Sequence, residues 1–122
     1  MENIDFKHLL FMFDGRINRA KFWLGVVILW VAYAVLGIII TTGRDSSILF
    51  ALAIVAYFVL IWPNLAVSIK RWHDRDKSGW WVLIVLIPIV GPIWAIVETG
   101  FLPGTPERNQ YGPDPLAPNT GV

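Results

Sequence analysis

Residues 70–81 read KRWHDRDKSGWW, and how they are read decides the fold. Lys70 to Lys77 holds six charged side chains and a histidine, with a long apolar run on each side. In a soluble protein such a stretch is a solvated loop. Between two runs long enough to cross a bilayer it is a charged turn at the membrane surface.

The flanking runs favour the second reading. Phe22–Thr42 and Ile48–Ile69 carry no charge, and Trp80–Leu102 carries only Glu98. At about 1.5 Å per residue each helix would reach roughly 31–35 Å, enough for a hydrocarbon core of about 30 Å. Isolated strands would leave backbone groups unpaired in lipid, so helix is the expected form. A soluble bundle would give each helix a polar face, which these runs lack. Composition agrees. The 122 residues are 56% hydrophobic and 16% charged, with mean hydropathy +0.59, whereas soluble chains average about a quarter charged. Seven tryptophans fit the amphipathic belts at lipid–water interfaces. The small-x-small sequence Ala32-Tyr33-Ala34 could mark a cleaved signal peptide, but the run continues to Ile40, which suits an anchor.

The reading is an all-α integral membrane protein, with residues 1–122 forming one membrane domain. Three spans are expected at about 22–42, 48–69 and 80–102. Phe6, Leu9, Leu10 and Phe13 recur at helical spacing and predict a short amphipathic interfacial helix before them, ended by Asp14-Gly15. Asn18 is placed to cap the first span. The short connection Gly43 to Ser47 makes spans one and two an antiparallel hairpin. Residues 103–122, with five prolines and three glycines, predict an extended, irregular tail.

Charge sets the orientation. Lys7, Arg16, Arg19 and Lys21 precede span one, and Lys70, Arg71, Arg75 and Lys77 follow span two. The other connection and the tail have only Arg44 and Arg108. The positive-inside rule places both rich segments, and so the N-terminus, in the cytoplasm. Three full spans then put the tail outside and Glu98 near the far interface. Pro63, Pro88 and Pro92 each remove a backbone hydrogen bond, so helix kinks are expected there. The competing arrangement is a re-entrant third segment turning at Pro88 to Pro92. Its short halves would need burial in protein, which favours a kinked full span. Asn64 is expected to hydrogen-bond to a neighbouring helix.

Few functional classes survive. A net charge of +1 argues against nucleic acid, and the absence of cysteine excludes thiol chemistry and Cys-based metal sites. With only His8 and His73, no metal-ligand spacing exists, and no cofactor is expected. His73-Asp74 is a poor catalytic pair, because helix neighbours point about 100° apart and Ser78 is the only nearby hydroxyl. The structural alternative is stronger. Lys70 and Arg71 lie four and three residues before Asp74, on one helix face. Asp76 or Ser78 could cap the third helix. Trp23, Trp80 and Trp81 are candidate interfacial anchors. Arg16, Arg19, Arg71, His73, Asp74 and Arg75 form the candidate face for lipid phosphate or a partner, since arginine grips phosphate bidentately.

Three motifs carry a resemblance. Phe13, Gly15, Arg16, Arg19, Phe22 and Trp23 form F-x-G-R-x-x-R-x-x-F-W. Arg71, His73, Asp74, Ser78, Gly79 and Trp80 fit R-R-x-H-D-x-x-x-S-G-W. Gly104, Thr105, Asn109, Tyr111, Gly112, Pro113 and Pro115 fit G-T-x-x-x-N-x-Y-G-x-x-P. Together they resemble the bacterial inner-membrane proteins grouped as domain-of-unknown-function family 805, over nearly the whole chain. Lys70, Trp72 and Glu107 stand where that family usually has Arg, Leu and Gly. The resemblance implies a multi-pass protein of the bacterial plasma membrane and supplies no activity. The expected role is therefore non-enzymatic: a basic cytoplasmic face that binds anionic phospholipid or a partner membrane protein. Alternatives are an oligomeric transporter or channel subunit around Asn64, or a lipid-phosphate enzyme using His73.

Overall fold

The computed structural model describes residues 4–117, and these are helical apart from turns and the tail. Helix α1, Phe6–Phe11, starts where Asp5 accepts a hydrogen bond from the His8 N–H. Gly15, at φ +86°, turns the chain after it, a conformation that favours glycine. Helix α2, Arg19–Thr42, starts at Asn18, whose side chain accepts from the Lys21 N–H at 2.8 Å. Ser46 caps α3, Ser47–Val59, in the same way. Helix α4, Ile61–Asp74, continues α3 after an interruption at Leu60. Pro63 causes the break, because it has no N–H for the Val59 carbonyl and its ring crowds that oxygen.

Two helices, α2 and the rod Ser47–Asp74, are long and apolar enough to cross a membrane. In each, only 11% of the most apolar window is buried inside the chain, so these are not core helices of a soluble protein. Their apolar surfaces, including Trp30, Ile38 and Phe58, face outward. The internal core is small. Leu9, Ile17, Phe22, Leu29 and Val67 pack where α1, α2 and α4 meet.

The third apolar stretch differs from the expected continuous span over 80–102. It is a helical hairpin: a 3-10 arm, Gly79–Leu86, then helix α5, Val90–Ala95, extended by a π turn, Ile96–Phe101. Pro88 and Pro92 therefore make a reversal, where kinks on one side of a straight helix were expected. Pro88 cannot donate to the Ile84 carbonyl, nor Pro92 to that of Pro88. Ile89, at φ 68° and ψ −62°, closes a γ-turn in which the Val90 N–H donates to the Pro88 carbonyl at 2.7 Å. The returning arm passes so close that a Cβ on Gly91 would sit 1.8 Å from the Ile84 carbonyl oxygen. Trp81 bridges the arms, with its ring centroid 5.7 Å from that of Trp72 on α4 and 6.2 Å from that of Trp94. Ser78 makes no side-chain cap to the 3-10 arm.

The reversal overturns two placements. Glu98 lies beside Arg75 and Lys77 rather than at the far end of the bundle. Residues 103–112 return to the end that holds the charged turn, so this part of the tail is not separated from the other two motifs.

Candidate functional site

The last residue of α4 is the centre of the site. Asp74 is only 3% exposed, and its two carboxylate oxygens are held by different arginines. Arg16 Nε donates to Oδ1 at 2.9 Å, and Arg71 Nη1 donates to Oδ2. Arg71 reaches it from one helical turn back, and Arg16 from the turn before α2.

Every nitrogen of both guanidiniums donates. Arg16 also bonds the carbonyls of Thr105 (2.6 Å), Glu107 (2.8 Å) and Gly112 (3.2 Å). Arg71 bonds those of Thr99 (2.6 Å), Ile17 (3.4 Å) and Leu102 (2.6 Å). A carboxylate shared by two such forks is a charge-assisted network whose low-dielectric surroundings strengthen each bond.

The tail completes the cluster by ending α4. Final carbonyls of a helix have no partner within it. Here the Thr105 N–H and hydroxyl donate to the Asp74 carbonyl at 2.7 and 3.0 Å, and Asn109 Nδ2 donates to that of His73 at 2.9 Å. Gly104 lets the tail lie against the carboxylate, since a Cβ there would stand 2.0 Å from Asp74 Oδ2.

His73 is fixed by a different contact. Its Nδ1 lies 3.0 Å from the Gly15 carbonyl, and its ring stacks on Tyr111 at 3.9 Å and 3°. A carbonyl only accepts, so Nδ1 carries the proton and Nε2 is an acceptor. Lying beyond the apolar part of its helix, which ends at Ile69, His73 has its pKa pushed below the ordinary value by burial. Asp74 is spent on the arginines and does not orient this imidazole, so the pair is no catalytic dyad. Among the described residues, no three His, Asp or Glu side chains gather where a metal could be held.

Lys70 does not join Asp74, despite its helical spacing. It is fully buried, and its ammonium donates to the carbonyls of His8, Leu9 and Met12, where α1 ends. Arg19, exposed, bonds the Phe101 carbonyl at 2.8 Å. Arg75 bonds the Pro103 carbonyl at 2.5 Å and Glu98 at 3.4 Å. Trp23 Nε1 holds the Gly100 carbonyl at 2.8 Å, tying α2 to the returning arm, while Trp80 is exposed. Asn64 donates to the Tyr33 hydroxyl at 2.8 Å and to its own Leu60 carbonyl, which joins the two long helices within one chain. Sequence reasoning brought Arg16 and Asp74 together. It missed Lys70, the Lys77–Glu98 pair and the carbonyl partners, which leave no pattern in side-chain identity.

Two long apolar helices, a shorter apolar hairpin and a charged cluster at one end define a small helical membrane protein. The family described as protein of unknown function (DUF805) matches residues 10–113, and the chain belongs to it. Inner membrane protein YhaI of Escherichia coli (strain K12) is 34% identical over 105 residues, 84% of this chain and 85% of that one. Inner membrane protein YhaH of the same strain is 34% identical over 106 residues, covering 84% and 86%. Uncharacterized protein YiiR is 28% identical over 131 residues, covering 86% of each. No solved structure matches.

Proposed function

We propose that this is a non-enzymatic, multi-pass inner-membrane protein whose basic cytoplasmic face binds anionic phospholipid headgroups. Two helices cross the bilayer, and the 79–102 hairpin enters and leaves it on the cytoplasmic side. Both chain ends are cytoplasmic. Support comes from eight Lys/Arg in the first 21 residues and the 70–77 turn, which meet at one end of the bundle. Each basic residue near anionic lipid contributes on the order of 1 kcal/mol.

One observation divides the labour among the charges. The buried guanidiniums of Arg16 and Arg71 are occupied by Asp74 and by carbonyls. In this reading Arg16, Arg71 and Asp74 are a clamp that joins the three motifs, with Tyr111 stacked on His73 beside it. The headgroup contacts then fall to Arg19 and Lys21 in the first turn of α2 and to Arg75 and Lys77 after α4. A partner membrane protein could use the same face. An oligomeric pore around Asn64 has less support, since that amide is used within the chain.

Two experiments test the proposal. A C-terminal fluorescent-protein fusion should be bright and the alkaline phosphatase fusion inactive; the opposite pattern refutes the cytoplasmic tail. Purified protein should retain phosphatidylglycerol over phosphatidylcholine in native mass spectrometry, and added salt should weaken that preference. Equal retention of the two lipids refutes headgroup binding.

A further inference from the structure

The outer face of the returning arm carries a feature that the clamp does not explain. A shallow groove of about 440 Å³ runs along Val90, Ile93, Trp94 and Val97 to Leu102, and Glu98 stands at its charged end. Its walls are apolar. Glu98 takes a 2.8 Å hydrogen bond from Trp94 Nε1 and pairs with Lys77 and Arg75. Two cations against one carboxylate leave a net positive charge at that end. Arg75 spends Nε on Glu98 and Nη1 on the Pro103 carbonyl, and among the described residues Nη2 has no hydrogen-bond partner.

Resting on the headgroup reading above, we propose that this groove seats one acyl chain of an anionic phospholipid whose phosphate is held by Arg75 and Lys77. Length supports the match. From Val90 to Leu102 the arm extends roughly 18 Å at helical rise, close to the depth of one leaflet, about half of a 30 Å core. The hairpin tip at Ile89 then lies near mid-bilayer, and the charged end lies at the headgroups. Sign supports it too. Arg75 and Lys77 keep about a quarter of their side-chain surface open (24% and 29%), while Glu98 is covered (6%), so a lipid phosphate meets the cations and not the acid. A full-length span would run past the bilayer midplane. The reversal at Pro88 to Val90 confines the groove to one leaflet and aligns it with a single lipid.

The test uses the full chain in mild detergent with added phosphatidylglycerol or phosphatidylcholine, read by native mass spectrometry. Val97→Trp fills the groove from an exposed position outside the charged cluster. Ile38→Trp, on the lipid-facing side of α2, is the control. Retained phosphatidylglycerol should fall about fivefold in Val97→Trp and in Arg75→Gln, and stay unchanged in Ile38→Trp. Independently of any variant, phosphatidylglycerol with a photoactivatable acyl chain should label wild-type protein within residues 90–102. A preference for phosphatidylglycerol that survives Val97→Trp, with labels spread over α2 and α3, overturns the groove and leaves the headgroup reading standing. No preference in the wild type overturns both.

Discussion

Removing the Asp74 carboxylate is the sharpest perturbation available. Asp74 is 3% exposed, and the side chains of its two arginines are 1% and 0% exposed. Asp74→Ala leaves both guanidiniums buried with no counter-charge. Breaking a buried pair in this way costs about 3–5 kcal/mol, most of it the penalty of the stranded charge. Asp76, two residues on, is exposed, sits at φ 61° and its carboxylate accepts only a 3.4 Å bond from the Gln110 N–H, so Asp76→Ala should cost no more than about 1 kcal/mol. The assay is reversible unfolding in mixed micelles by SDS titration, with protease protection of the tail read in parallel. Asp74→Ala should lower the midpoint strongly and free residues 103–117, which hang on the same cluster. A double-mutant cycle sharpens the test. Arg16→Met added to Asp74→Ala removes one stranded charge and should recover part of the loss. Equal, small effects of the two aspartate changes would refute the clamp.

The remaining expectations concern the tail and its stacked histidine. Gly104→Ala places a methyl 2.0 Å from Asp74 Oδ2 and should cost about 1–3 kcal/mol, seen as faster tail proteolysis with the two long helices intact by circular dichroism. Burial, and secondarily the Lys70 charge, hold His73 below its ordinary 6.5, against the opposing pull of the Gly15 carbonyl and Asp14. The unfolded chain therefore binds the proton first, so stability should be full above pH 6.5 and decline as pH falls through the lowered value. His73→Gln should flatten that part of a stability profile taken between about pH 5 and 7.5.

Much of this architecture is written in local pattern. The two long helices follow from charge-free runs, and their starts from Asn18 and from the serines after Arg44-Asp45. The amphipathic α1 follows from the spacing of Phe6, Leu9 and Leu10, but it ends at Phe11, before Phe13 and the Asp14-Gly15 turn. Such features depend on neighbours within a few residues, so the sequence by itself determined them. The pairing of the Arg16 and Asp74 segments was legible too, because charge counting puts both at one end.

The course of residues 80–102 was not. Proline identity says that hydrogen bonds are lost, but the same loss permits a bend or a reversal. The choice depends on partners elsewhere in the chain: α4 packs along the first arm, and Trp23 on α2 holds the Gly100 carbonyl at the end of the second. The fate of each cation was equally hidden. Lys70 and Arg71 are adjacent, yet one ends α1 and the other clamps Asp74 and three carbonyls. Backbone carbonyls are identical at every residue, so only the tertiary structure decides which of them a buried charge meets.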